Sequence, residues 1–190
     1  MNIDAKNNFL IIAITLPYFF EGEAKLISAV LKNKTADLVH IRKPEASSHQ
    51  IKSLITEINP NFHKRIKLHD HFELLDDFPL GGIHLNERNQ TIHPMAKSVS
   101  RSFHTIEELI SASKYDYVTL SPIFDSISKP GYKAAFKPDD LKSALSTLHN
   151  VIALGGVTSE KYPFLKEIGF HGAAGIGQFW DSNNLKKNNY

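Results

Sequence analysis

The 190-residue sequence contains no cysteine, and this absence removes disulfide bonds and thiolate chemistry from consideration. It also lacks a strong net charge: the formal value of +2 is too small to indicate a nucleic-acid partner. Long apolar runs are missing as well. The longest, residues 9–16, is interrupted by Thr15, is too short to span a bilayer and has no basic leader of the signal-peptide type. We therefore expect a cytoplasmic protein without a membrane or nucleic-acid partner.

Short β-branched runs alternate with amphipathic segments along the chain. Eight runs predict strands, at Phe9–Leu16, Asp37–Arg42, Arg65–His69, Gly81–Leu85, Ser98–Ser102, Tyr115–Ser121, Val151–Leu154 and Gly172–Ile176. Six segments predict helices, at Glu23–Asn33, Ser48–Ile58, His71–Asp76, Thr105–Ala112, Pro138–Leu148 and Ser159–Ile168. This alternation is typical of a parallel α/β sheet. It predicts a single (βα)8 TIM barrel domain spanning residues 1–190, with a doubly wound open sheet as the alternative.

Helical signals are weak in two places. Residues 86–97 contain Pro94 and few apolar side chains, so no helix is predicted after the fourth strand. The last segment, Ser182–Tyr190, is short and polar. We therefore expect a compact barrel with a weak or truncated last helix, whose apolar seam a second subunit would cover in a homodimer.

Four histidines each come at the end of an apolar run: His40, His69, His84 and His104. The carboxyl ends of barrel strands share one face, where the following loops build the active site. Each ring alone could simply satisfy hydrogen bonds at a strand end. Four in register favour a common site.

Two glycine-rich turns follow the predicted seventh and eighth strands. Gly155-Gly156 comes after the seventh, and the residues from Gly169 to Gly177 enclose the eighth. Free backbone N–H groups in such turns bind phosphate, and barrels use these loops for that purpose. Tight turning alone would also explain the glycines.

Two further features indicate an anionic ligand. The hydroxyl-rich segment 121–131 follows an apolar strand and carries one lysine, as a loop that folds over an anion would. Arg42 has the same side-chain parity as His40, so both face the same side of their strand. A buried arginine needs an anionic partner, either Asp70 or a ligand phosphate.

These segments, in this order, resemble the thiamine phosphate synthase family and its relative, thiazole tautomerase. The resemblance extends from the first strand to Gly177. It rests on Leu38-Val39-His40-Ile41-Arg42-Lys43, Leu68-His69-Asp70, Gly82-Ile83-His84-Leu85, Ser102-Phe103-His104-Thr105, Ser121-Pro122-Ile123-Phe124 with Ser126-Ile127-Ser128-Lys129, Ala153-Leu154-Gly155-Gly156-Val157 and the glycines up to Gly177.

The family joins hydroxymethylpyrimidine pyrophosphate to thiazole phosphate, using Mg²⁺ and releasing pyrophosphate. The resemblance implies that Arg42, Ser102 and Lys129 hold the pyrophosphate and that Asp70 and Asn89 lie at the magnesium ion. It places the thiazole phosphate near Gly156, Ile176 and Gly177, under a segment formed by Ser126, Ile127 and Ser128. It also implies catalytic roles for His104 and Lys129, and substrate binding by His40, Lys43 and His69.

The chain departs from the family pattern at several of these positions. The family usually has Gln at the position of His40, Asn at His69 and Lys at Pro44, one residue after Lys43. Asn89 replaces a magnesium-binding carboxylate with a weaker, neutral ligand. The thiazole phosphate site is therefore better preserved than the metal and pyrimidine sites.

Three other functions compete with the synthase. Thiazole tautomerase has a histidine at the position of His104, handles only the thiazole phosphate and tolerates the loss of magnesium carboxylates. A phosphate-binding barrel without catalysis would serve thiamine metabolism as an accessory. A zinc hydrolase would use the four histidines, since zinc sites take three protein ligands plus water, but it leaves the glycine turns unexplained. Small phosphorylated compounds are the expected partners of the synthase, the tautomerase and the phosphate-binding barrel.

Overall fold

The computed structural model describes residues 9–125, 135–148 and 150–180. Eight parallel strands form a closed barrel in chain order. They are β1 (Leu10–Ile14), β2 (Leu38–Ile41), β3 (Ile66–Leu68), β4 (Gly82–Leu85), β5 (Val99–Phe103), β6 (Tyr117–Leu120), β7 (Val151–Ala153) and β8 (Gly172–Gly175). The predicted (βα)8 barrel is confirmed, and the open sheet is excluded.

In the described residues, four α-helices lie between the strands: α1 (Glu23–Lys32), α2 (Ser48–Glu57), α3 (Pro138–Leu145) and α4 (Tyr162–Ile168). Short 3₁₀ helices cover Pro60–Arg65, Phe72–Leu75, Glu107–Lys114, Ser159–Lys161 and Gly177–Phe179. Within the described ranges, residues 86–97 hold no helix, as predicted. The predicted last helix, Ser182–Tyr190, lies outside the described residues. No helix in the described part of the chain has both the length and the apolarity needed to cross a bilayer.

Two predicted helices are 3₁₀ helices instead. In Glu107–Lys114 the buried residues are Leu109 and Ala112, and their spacing of three suits the three-residue turn of a 3₁₀ helix. The segment Phe72–Leu75 spans only four residues, which is too short for a stable α-helix.

Local sequence signals explain where the helices begin. Ser47 and Gln50 form a capping box at the start of α2. Thr105 and Glu108 form the same reciprocal pair of bonds before the 3₁₀ helix at Glu107. Pro138 is the first residue of α3, where its missing N–H costs nothing.

The described residues fall into two compact units. The N-terminal unit contains residues 12–99 and 176–180, and the C-terminal unit contains residues 9–11 and 100–175. The N-terminal unit buries side chains of α1, α2 and β2–β4, among them Ile27, Leu31, Ile55 and Leu68. In the C-terminal unit, Val118, Leu120, Leu141 and Leu165 belong to one apolar cluster. The single-domain organisation stays a prediction.

Candidate active site

Three of the four predicted histidines come together in the N-terminal unit. We call His40, His69 and His84 the histidine triad; they lie on β2, directly after β3 and on β4. Their side chains are buried, at 0%, 4% and 1% exposure. His40 Nδ1 lies 2.9 Å from His69 Nε2, and the rings of His69 and His84 stack at a centroid distance of 4.4 Å. Three of the four histidines that the sequence places at one site therefore form one imidazole cluster.

Burial holds the triad in its uncharged form. Desolvation lowers the pKa of His40 and His69 well below the ordinary value and that of His84 to about 3. The positive charge of Lys67 acts in the same direction on His40 and His84. Lys67 is itself buried on β3, where its Nζ donates to Ser98 Oγ at 2.7 Å. At neutral pH the triad is a buried cluster of polar, uncharged rings.

Asp70 follows the triad on the loop after β3 and carries the carboxylate of this site. Asn89 Nδ2 donates to Asp70 Oδ1 at 2.6 Å, and Arg88 Nη2 lies 3.3 Å from the same oxygen. Asn89 Nδ2 also donates to the backbone carbonyl of His69 at 3.2 Å. Two acceptors thus fix the amide with its hydrogens toward Asp70, and this orientation gives no support to Asn89 as a metal ligand.

Arg42 is half-buried directly after β2. Thr15 fixes its backbone, because the Arg42 N–H donates to Thr15 Oγ1 at 2.9 Å. Burial lowers the pKa of the guanidinium, the charge of Arg88 lowers it further, and Asp70 opposes both effects. Among the described residues, no acceptor takes a hydrogen bond from this guanidinium. Arg42 and Arg88 therefore place two positive charges near one carboxylate.

Lys43, which the resemblance implies as a substrate-binding residue, is occupied within the protein. Its ammonium is buried and donates to the carbonyls of Leu16 and Tyr18 and to Glu23 Oε1, at 2.9, 2.6 and 2.6 Å. Three acceptors use all three hydrogens. Lys43 therefore holds the loop between β1 and α1 against the end of β2.

A cavity of about 610 Å³ opens beside Asp70 in the N-terminal unit. Its walls come from the loops after β2, β3 and β4, with Pro44, Asp70, His71, Arg88, Asn89 and Ile92 among the lining residues. This volume is in the range of small-molecule sites.

The fourth histidine lies in the C-terminal unit. His104 is exposed, and its Nδ1 lies 3.3 Å from both the carbonyl and the hydroxyl oxygen of Ser121. Ser102 lies opposite Thr119 on the neighbouring strand, and Thr119 Oγ1 donates to Ser102 Oγ at 3.5 Å. Ser126, Ile127, Ser128 and Lys129 lie outside the described residues.

The turn after β7 has a left-handed backbone at both of its glycines. Gly155 and Gly156 have φ values of +95° and +61°, and a Cβ on Gly156 would lie 2.3 Å from the Asp125 carbonyl. Among the described residues, no acceptor takes the N–H groups of Gly155 and Gly156. Lys161 Nζ donates to the Gly156 carbonyl at 2.6 Å. In the N-terminal unit, Ile176 and Gly177 are exposed, and a Cβ at Gly177 would contact nothing within 4 Å.

Sequence reasoning missed two charged residues of the site, Lys67 and Arg88. Lys67 lies within the apolar run Ile66–Leu68 and has the same side-chain parity as His69. A charged residue inside an apolar strand was the signal that could have identified Lys67 as part of the site. Arg88 lies in a polar stretch without periodicity, so no pattern connected it to Asp70.

Comparisons with known proteins agree with the fold and identify the family. The family model described as thiamine monophosphate synthase matches residues 11–179. A solved thiamine phosphate pyrophosphorylase from Bacteroides thetaiotaomicron is 35% identical with a TM-score of 0.81, covering 93% of this chain and 91% of that one. A thiamine-phosphate synthase of Bacteroides fragilis is 23% identical over 153 residues, which are 72% of this chain and 75% of the relative. A pyrophosphorylase structure from Pyrococcus furiosus, at 15% identity and TM-score 0.75 with coverage of 94% and 91%, supports the fold alone.

Proposed function

The chain belongs to the thiamine monophosphate synthase family and is a transferase of the thiamine phosphate synthase type, and from this premise we propose how its residues perform the coupling. The substrates would be hydroxymethylpyrimidine pyrophosphate and thiazole phosphate, and the products thiamine phosphate and pyrophosphate. Nothing in the relatives favours thiazole tautomerase or a non-catalytic barrel over this reaction.

The observation that carries the proposal is the group of Asp70, Arg42 and Arg88 at the ends of β2 and β3 and after β4. Departure of pyrophosphate leaves negative charge on its oxygens, and fixed positive charges there lower the barrier. Arg42 is half-buried, so water screens its charge less than that of a surface arginine. We assign the two guanidiniums to the departing pyrophosphate.

The histidine triad would act on the other fragment of the cleaved bond, the pyrimidine. The pyrimidine fragment becomes a resonance-stabilised cation when pyrophosphate leaves. His40 and His69 are neutral at physiological pH because burial lowers the pKa of each imidazole. Neutral rings offer hydrogen-bonding nitrogen atoms to the pyrimidine without repelling the developing positive charge.

The donor set around Asp70 fits a magnesium ion. Mg²⁺ commonly uses one or two protein carboxylates together with substrate phosphate oxygens. The Asp70 side chain is 15% exposed and so reaches the solvent side of the site. We propose that Asp70 holds the ion and that Asn89 orients Asp70, and when bound the ion would neutralise charge on the pyrophosphate. Arg88, 3.3 Å from Asp70 Oδ1, would hold this carboxylate in place.

The glycine turn after β7 is our proposed site for the thiazole phosphate. Adjacent N–H groups in a left-handed turn point toward one anion. The family resemblance implies Gly177 as a second contact of this ligand. Holding the phosphate there would fix the thiazole nitrogen for attack on the pyrimidine carbon, an orientation effect that raises the rate.

Three residues complete the proposal as further contacts: Ser102, His104 and Lys129. Ser102 and Lys129 would add pyrophosphate contacts, and His104 would act at the thiazole side together with Ser121. The charged phosphorylated substrates agree with a cytoplasmic location, which remains our expectation.

The proposal is tested by mixing the purified protein with both substrates and Mg²⁺ and measuring thiamine phosphate by mass spectrometry. We expect product from the wild type and none above background from Asp70→Ala. Arg42→Ala should lower kcat/KM by roughly 30- to 5000-fold, because removing one member of a desolvated charge pair costs about 2–5 kcal/mol.

The exposed residues Asp139 and Lys142 on α3 provide matched controls. Asp139→Ala and Lys142→Ala should retain wild-type rates. Full turnover by Asp70→Ala at saturating substrate would contradict the magnesium assignment, whereas a folded wild type that forms no product would contradict the function.

A further inference from the structure

We propose that His40, His69 and His84 form a binding site for one divalent transition-metal ion of the zinc class. One nitrogen from each of the three imidazoles lies within 4.8 Å of the other two. The three residues come from consecutive parallel strands, so the barrel backbone fixes their spacing. Three protein nitrogen ligands and one open position are the usual composition of a reactive zinc site.

The donor atoms separate this site from the proposed magnesium site. Imidazole nitrogen suits Zn²⁺, Cu²⁺ and Ni²⁺, whereas Mg²⁺ prefers carboxylate, phosphate and water oxygens. The triad offers three nitrogens and no carboxylate. The two sites should therefore bind different ions, and the triad should not bind Mg²⁺.

The rings need only small movements to coordinate an ion. Zn–N bonds of about 2.0–2.1 Å place tetrahedral ligands roughly 3.4 Å apart. The His40–His69 nitrogen pair, at 2.9 Å, would open slightly, and the widest pair would close. Coordination would also replace the ring stack of His69 and His84, which is a change that nuclear magnetic resonance of the imidazole nitrogens detects.

Lys67 sets the affinity of this site. It lies opposite His40 on β3, it is buried, and its charge acts on His40 and His84. A positive charge at this position opposes a divalent cation. We therefore expect that removing the lysine charge increases the affinity of the triad for metal. A histidine cluster without a neighbouring lysine would show no such effect.

The test uses the full chain without a histidine tag, freed of metal by a chelator and titrated with Co²⁺. We expect one Co²⁺ per chain with the visible absorption of a four-coordinate site, displaced by Zn²⁺ and unaffected by millimolar Mg²⁺. His84→Phe should abolish binding, and His104→Asn, an exposed control, should retain it. Lys67→Met should bind Co²⁺ about tenfold more tightly than the wild type.

Circular dichroism establishes that each variant is folded. If His84→Phe fails to fold, Lys67→Met and the imidazole nitrogen resonances of the wild type still decide the matter. Absence of stoichiometric Co²⁺ or Zn²⁺ binding, retention of the site in folded His84→Phe, or unchanged affinity in Lys67→Met would each overturn the proposal. No readout depends on coupling activity, so failure here is distinct from failure of the proposed function.

Discussion

At the scale of single residues, the N-terminal unit separates neutral from charged groups over a short distance. The triad is uncharged because burial lowers the pKa of its imidazoles, while Arg42, Asp70 and Arg88 next to it are each partly exposed to water. A protein obtains this contrast by burying one set fully and leaving the other partly in water. The unfolded chain has no such contrast, so stability depends on pH.

The sign of that dependence follows from the direction of the shifts. The pKa of His84 is about 3 in the folded protein and 6.5 when unperturbed, so between these values the unfolded chain binds the extra proton. Stability contributed this way is present above pH 6.5 and is lost as the pH falls toward 3. We expect the free energy of unfolding to decline on acidification, by up to about 1.4 kcal/mol per pH unit for each imidazole.

Urea denaturation at a series of pH values, with a chelator present, measures this slope. His84→Phe should reduce the slope of the free energy of unfolding against pH by the contribution of one proton, roughly 1.4 kcal/mol per pH unit. The exposed His49→Asn on α2 is the control, since folding removes little water from its ring. An identical slope in His84→Phe and the wild type would show that this imidazole is protonated in the folded protein.

At the scale of elements, the two glycine turns differ in what they tolerate. Gly156 has a left-handed φ and a backbone carbonyl against its missing Cβ, so substitution there strains the turn itself. A Cβ on Gly177, by contrast, would have no atom within 4 Å. We therefore expect Gly177→Val to fold normally yet lose the thiazole phosphate, whereas Gly156→Ala should be destabilised.

Calorimetry with thiazole phosphate and its dephosphorylated alcohol separates these effects. The wild type should prefer the phosphate, because charge-assisted hydrogen bonds are about twice as strong as neutral ones. Gly177→Val should bind both compounds equally weakly. Equal affinity of the wild type for both compounds would remove the phosphate site.

The start of α2 offers a second test at this scale. Ser47 Oγ accepts the Gln50 N–H, and the Gln50 side chain accepts the Ser47 N–H in return. Ser47→Ala should cost about 1 kcal/mol in the free energy of unfolding. Ser53→Ala, exposed within the same helix, should be neutral or slightly stabilising, because alanine has the higher helix propensity. Equal losses in both variants would contradict the capping role.

Element patterns also mark where sequence reasoning succeeds. All eight strands were predicted: β-branched residues mark seven of them, whereas β8 has none and was recognised among the glycines after α4. The approach of His40, His69 and His84 was predictable in part, since the sequence expected four histidines at one site and three of them come together. Arg88 and the true partners of Lys43 were not, because loop conformation decides them. Lys43 adjoins Arg42 in the sequence, yet its ammonium turns to Glu23 and two carbonyls of the preceding loop.

At the scale of the whole molecule, one hydrogen bond joins distant parts of the chain within the N-terminal unit. Trp180 Nε1 donates to the Ile14 carbonyl at 2.6 Å, across 166 residues. The ring is also buried, at 8% exposure. Trp180→Phe keeps most of the packing and should cost about 1 kcal/mol, whereas Trp180→Ala should cost about 3–5 kcal/mol.

Circular dichroism during urea denaturation measures both variants, because the chain's one tryptophan is removed and fluorescence is lost. Trp180→Phe as stable as the wild type would show that water replaces the indole donor at no cost.

The Trp180–Ile14 bond also bears on the order of events during synthesis. Ile14 leaves the ribosome early, and its carbonyl meets the indole only after 166 further residues have been translated. The strands β2, β3 and β4 and the helices α1 and α2 can pair locally long before then, since their contacts close shorter loops. The Ile14 carbonyl at the end of β1 therefore lacks the Trp180 indole during most of translation. This is the stage at which nascent-chain chaperones would bind the end of β1.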